Sequence, residues 1–140
     1  MVVANHASQL DIAAALVALK GLDFRFASRP LFFRIPILGW DMRFGGHFEL
    51  DRDSRLKSLR KLYELDYFKR GLSVLLFPEG TRSLTGEVGE FEVGAALAAV
   101  HHGVPILPVK LRGLYEALPK GRRQPKPSAV SIRIGEPISM

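Results

Sequence analysis

Apolar and polar positions follow two rhythms along this chain. Short runs dominated by Val, Ile, Leu, Phe and Ala occupy residues 1–4, 24–27, 48–50, 73–77, 106–111 and 129–134. Each is flanked by Gly, Pro, Asn, Asp or Ser and reads as a strand. Between them lie stretches with helical spacing, at residues 9–20, 30–34, 55–70 and 93–102. In the third, Leu56, Leu59, Leu62 and Leu65 are expected to form one buried stripe. Strand and helix alternation of this kind predicts an α/β fold, a single domain with a mostly parallel central sheet flanked by helices. The basic, proline-rich run L-P-K-G-R-R-Q-P-K-P-S, residues 118–128, predicts an exposed loop before the last strand.

Open α/β sheets bind ligands at the carboxyl ends of their strands, so polar turns that follow predicted strands carry the interest. Three stand out: N-H-A-S-Q-L-D at residues 5–11, L-D-R-D at 50–53, and F-P-E-G-T-R-S at 77–83. On a continuous helix His6 and Asp11 would lie about 140° apart and never meet. If the strand ends at Ala4 and the helix begins near Ser8, the turn folds His6 back onto Asp11. The same letters also fit a plain S-x-x-D capping box made by Ser8 and Asp11, with His6 an ordinary loop residue. In the third turn a carboxylate and a guanidinium follow directly on a fully apolar strand, which points to a ligand site or, more plainly, to a salt-bridged turn.

With 140 residues and 47% hydrophobic content, the chain is long enough for one core and short for two. It has no cysteine, which removes disulfides, thiolate metal sites and a cysteine nucleophile together. No histidine and carboxylate spacing characteristic of a metal site is present. The net charge of +6 predicts an anionic partner: nucleic acid, a phospholipid surface or a phosphorylated substrate. No Walker, zinc-finger or aromatic RNA-binding signature is present, so nucleic acid is not expected. No apolar run reaches the ~20 residues of a membrane-spanning helix, which leaves peripheral contact with a membrane. M-V-V-A is a strand with nothing before it, so the chain reads as a core taken from a longer polypeptide.

Taken in order, four blocks resemble the glycerolipid acyltransferase family. N-H-A-S-Q-L-D is similar to its N-H-x-x-x-x-D motif, G-H-F-E-L-D-R at 46–52 to its second motif, F-P-E-G-T-R-S to its third and V-P-I-L-P-V at 104–109 to its fourth. The resemblance implies transfer of a fatty acyl group from acyl-CoA or acyl-carrier protein, as co-substrate and not cofactor, to the hydroxyl of a lysophospholipid or glycerol phosphate. It also implies work at the cytoplasmic face of a membrane and a membrane-associated segment ahead of the first motif, which this chain does not contain. Glu49 and Glu92 stand where the family usually has an apolar residue and a lysine, departures that bear on acceptor preference.

Such a transfer needs a base, a stabilised oxyanion and a place for the acceptor phosphate. An imidazole titrates near neutrality, so His6 is the candidate base, with Asp11 fixing its tautomer and Glu79 completing the catalytic group. Ser8 and Ser83 are the alternative nucleophiles, but neither lies in a G-x-S-x-G elbow. Arg52 and Arg82 fit bidentate phosphate binding, with Gly80 allowing close backbone approach and Thr81 adding a hydroxyl. Val104, Pro105, Ile106 and Pro108, which carry no titratable group, are expected to wall an acyl pocket or to be ordinary core strand. Asn5 holds or caps the first turn. A second reading, from charge alone, is a non-catalytic basic module that binds anionic lipid or nucleic acid through Lys120, Arg122, Arg123 and Lys126.

Overall fold

In the computed structural model, which describes residues 1–51 and 53–139, six strands form one sheet: β1 (Val2–Ala4), β2 (Phe24–Ser28), β3 (Phe48–Glu49), β4 (Ser73–Leu76), β5 (Leu107–Arg112) and β6 (Ser131–Ile134). Their order is β3-β2-β4-β1-β5-β6, all parallel except the antiparallel edge strand β6. The helices are α1 (Asp11–Ala18), α2 (Pro30–Phe33), α3 (Leu38–Phe44), α4 (Arg55–Tyr63), α5 (Gly94–His102) and α6 (Leu114–Ala117).

Right-handed crossovers dictate which helix covers which face. The connections that step from β1 to β2 to β3 run one way along the sheet and carry α1, α2 and α3. Those from β3 to β4 and from β4 to β5 run back and carry α4 and α5. Two cores result. Ala15, Leu19, Phe33 and Met42 pack with Val2, Leu75 and Val109 on one face, while Leu62, Leu65, Ala95, Ala98 and Ala99 pack with Val74 and Leu76 on the other.

Four expectations need correction. The helix read over 55–70 ends at Tyr63, with only a 3₁₀ turn at Phe68–Arg70 beyond it. Its leucines do not form one stripe: Leu62 and Leu65 are buried, but Leu56 is exposed. Steps of three residues advance only 300° around a helix, so from Leu56 to Leu62 the direction drifts by about 120°, and Leu65 lies beyond the helix. The first helix starts at Asp11 and not near Ser8. Helices α3 and α6 lie in stretches where no helix was expected.

Candidate active site

Strands β1 and β4 are parallel neighbours, with Val2 opposite Leu75 and Val3 opposite Leu76. Three residues past the last pair the chain reaches His6 on one strand and Glu79 on the other. The first and third polar turns therefore converge because of strand register. They sit where the connection from β1 leaves toward β2 and that from β4 leaves toward β5, the switch point at which doubly wound sheets open a crevice.

His6 does fold back onto Asp11. Its Nδ1 lies 2.7 Å from Asp11 Oδ2, which also accepts the main-chain N–H groups of Ala7 at 2.7 Å and Ser8 at 2.8 Å. An oxygen that takes two backbone donors carries no proton, so Nδ1 donates and Nε2 is the basic nitrogen. Asp11 is fully buried, and its Oδ1 has no hydrogen-bond partner among the described residues. The capping-box reading is half right. Asp11 does reach back to the Ser8 N–H, yet the Ser8 hydroxyl donates to the Leu118 carbonyl at 2.8 Å and accepts from Leu10 N–H at 3.2 Å. Ser8 is fully buried, with its hydroxyl engaged as both donor and acceptor.

The histidine is held through its main chain as well. Its N–H donates to Glu79 Oε1 at 2.7 Å, and its carbonyl accepts from Ser83 N–H at 2.8 Å. Glu79 Oε2 accepts from Gly89 N–H at 3.1 Å. With both oxygens on main-chain donors, Glu79 ties the His6 turn to the 83–93 loop. Asn5 does the same toward β5, donating to the Leu111 carbonyl at 3.0 Å and accepting its N–H at 2.7 Å. Gly80 takes a positive φ of 64°, the conformation that turns the chain after Pro78.

A cavity of about 730 Å³ opens beside Glu79. Leu59 and Leu62 of α4, Leu76 and Phe77 at the end of β4, and Leu97 of α5 give it apolar walls, while Arg29, Arg55, Thr81 and Glu92 bring charge and a hydroxyl. Phe77 joins the two regions, because its ring stacks on the His6 imidazole at 4.2 Å between centroids and it also lines the cavity. Arg82 is half-buried near the turn and forms no ion pair among the described residues. Arg52 lies outside the described residues.

Val104, Pro105, Ile106 and Pro108 are not brought to this place. They sit at the start of β5, where the amino terminus of Met1 donates to the Pro105 carbonyl and Leu107 N–H to the Met1 carbonyl. Val104 and Ile106 pack against the α4 and α5 core, and none of the four lines the cavity. That is the amino end of a strand in a parallel sheet, opposite the crevice. Contributors without a motif signal are Arg29 and Arg55; Phe77 lies in the third block and Lys120 in the basic loop, but neither signal points to this part. The Lys120 ammonium lies 3.5 Å from Thr81 Oγ1, although it belongs to the basic loop. Arg29 had one usable cue, a polar residue directly after a predicted parallel strand.

The family described as Acyltransferase matches residues 1–112. A 1-acyl-sn-glycerol-3-phosphate acyltransferase of Chlamydomonas reinhardtii is 39% identical over 93% of this chain and 39% of its own length. The chloroplastic enzyme of that name from Arabidopsis thaliana is 41% identical over 85% of this chain and 33% of its own. The crystal structure of the 1-acyl-sn-glycerophosphate acyltransferase PlsC from Thermotoga maritima superposes with a TM-score of 0.83 at 37% identity, covering 99% of this chain and 54% of that one. The chain thus spans well under two thirds of the length of the proteins it matches.

Proposed function

The chain belongs to the acyltransferase family, and on that premise we propose that it moves a fatty acyl group from an acyl thioester, acyl-CoA or acyl-carrier protein, to the free hydroxyl of a lysophosphatidate-like acceptor at a membrane surface. The observation that carries this reading is the 2.7 Å contact between His6 Nδ1 and buried Asp11 Oδ2 at the carboxyl end of β1. It leaves Nε2 without a hydrogen-bond partner among the described residues.

Nε2 takes the proton of the acceptor hydroxyl as its oxygen bonds to the thioester carbonyl carbon. The tetrahedral intermediate then expels the sulfur, which receives that proton from the imidazolium, giving ester and free thiol. Asp11 stabilises the imidazolium between these steps and fixes the ring's orientation. No acyl-enzyme is required. The apolar walls of the cavity accept a hydrocarbon chain, and Arg82, with Arg52, Arg29 and Lys120, supplies cations for the acceptor phosphate. Contact with the membrane is peripheral, in keeping with the finding that no helix among the described residues is long and apolar enough to cross one.

The test is an assay of free thiol and new phosphodiester-free ester product, phosphatidate, from an acyl thioester with and without lysophosphatidate. Acceptor-dependent thiol release that His6→Ala abolishes is expected. Lysophosphatidate binding with no thiol release in the parent protein would favour the non-catalytic basic module instead.

A further inference from the structure

The hairpin of α2 and α3 buries Phe33 and Met42 but presents a second set of apolar residues outward. Gly39 and Met42 are buried on the inner side of α3, and Gly39 is so close to α2 that a Cβ there would meet the Phe33 carbonyl oxygen at 2.2 Å. The two helices are therefore locked together. On the opposite side of α3, Trp40 and Phe44 stand one turn apart, 60% and 91% exposed. Ile37 between the helices is 76% exposed, and Leu31 and Ile35 are exposed as well. Ile37 also has φ 66° and ψ −62°, with Leu38 N–H donating to the Pro36 carbonyl at 2.8 Å. This is the strained form of the γ-turn, here adopted by a β-branched residue whose side chain gains no burial from it.

Charge indicates the partner. Between Arg29 and Phe44 the hairpin carries Arg29, Arg34 and Arg43 against the single acid Asp41. Aromatic and aliphatic residues interleaved with arginines suit the boundary between phospholipid headgroups and acyl chains. A second copy of this chain, itself at net charge +6, would cover the apolar residues but leave the arginines facing like charge. Arg29 both caps α2 and lines the cavity, so the hairpin starts at the cavity's edge.

We propose that the α2–α3 hairpin docks the protein on anionic phospholipid, with Ile37, Trp40 and Phe44 seated below the headgroups and Arg34 and Arg43 on lipid phosphates. The idea rests on the lipid-acceptor reading above for its purpose, yet it is read without turnover, so failure of one is distinguishable from failure of the other. Trp40 is the chain's only tryptophan and reports directly. With vesicles of phosphatidylcholine and phosphatidylglycerol its emission shifts to the blue and is quenched by lipids brominated near the top of their chains. Pure phosphatidylcholine or high salt weakens both effects. The double variant Ile37→Asp, Phe44→Asp, changed only at exposed positions, binds the mixed vesicles at least tenfold more weakly while melting like the parent and keeping its turnover of a water-soluble short-chain acceptor. Unaltered vesicle affinity in that variant overturns the proposal. So does a blue shift that follows protein concentration in the absence of lipid, which would mean that copies of the chain pair through this face.

Discussion

At the scale of single residues the site separates chemistry from support. His6 exposes only 13% of its side chain, and its attachments to Glu79 and Ser83 run through the main chain. His6→Ala therefore keeps those bonds and loses the stacking on Phe77, worth about 1 kcal/mol, and the bond to Asp11 Oδ2, which retains its two main-chain donors. Turnover should fall by about 10² to 10⁴, roughly 3 to 5 kcal/mol of transition-state stabilisation. Thermal melting measured beside the assay should move little; a parent-like rate would remove His6 from the chemistry. Asp11→Asn is expected to fail on both counts. Its Oδ2 serves three donors, and an amide nitrogen turned toward any of them costs about 1 to 3 kcal/mol in a buried site, besides removing the charge that holds the tautomer. A variant that melts like the parent and turns over at its rate would contradict the geometry. Arg82→Ala should chiefly raise the apparent Michaelis constant for a phosphate-bearing acceptor, and equal losses with an acceptor lacking phosphate would count against that role.

At the scale of elements, the edge strand β3 and its approach depend on His47. Its ring stacks on Phe26 at 3.7 Å and its Nδ1 accepts the Phe26 N–H at 3.2 Å, an arrangement that requires an unprotonated Nδ1. Burial, reinforced by the Arg25 guanidinium and opposed by Asp41, pushes this imidazole below the ordinary value of 6.5. The unfolded chain therefore binds the proton more readily than the folded one. The stability gained from a neutral His47 is fully present above pH 6.5 and is lost as pH falls from there through the lower folded value. Denaturant titrations at pH 7.5 and 5.5 should show a larger acid loss in the parent than in His47→Gln, and parallel losses would rule the residue out. The γ-turn at Ile37 offers a second test at this scale. Ile37→Gly relieves the positive φ and should leave stability unchanged or raise it by about 1 kcal/mol. A clear drop in melting temperature would show that the exposed side chain contributes to the fold.

At the scale of the whole molecule, the basic loop divides in two. Arg122, Arg123 and Lys126 are exposed, but Lys120 reaches Thr81. Neutralising the first three should weaken binding to anionic vesicles by about 1 kcal/mol per charge and spare turnover of a dispersed acceptor. Neutralising Lys120 should instead raise the acceptor's Michaelis constant. Vesicle binding indifferent to the triple change would reduce the loop to solvated surface. The loop is anchored next to the His6 turn by the bond from Ser8 to the Leu118 carbonyl, so distant parts of the chain meet at one mouth.

The order of apolar runs and helical stretches sufficed to determine an α/β sheet of six strands, because strand and helix periodicities are local and differ enough to be told apart. The meeting of His6 and Asp11 was legible only as one of two alternatives, beside a capping box with His6 in the loop, because the letters do not fix where strand ends and helix begins; the fold decided between them. The sheet's tertiary pairing alone decided the rest. Which strands neighbour one another brought Glu79 and Ser83 onto the His6 main chain across more than seventy positions, and it set the V-P-I-L-P-V block at the far end of β5 instead of in the cavity. Helices α2 and α3 likewise owe their outward apolar face to the close approach at Gly39, a contact between elements that no periodicity along the chain records. Composition could say that Leu31, Trp40 and Phe44 are apolar, but exposure is a property of the packed molecule: only what the other elements leave uncovered decides it.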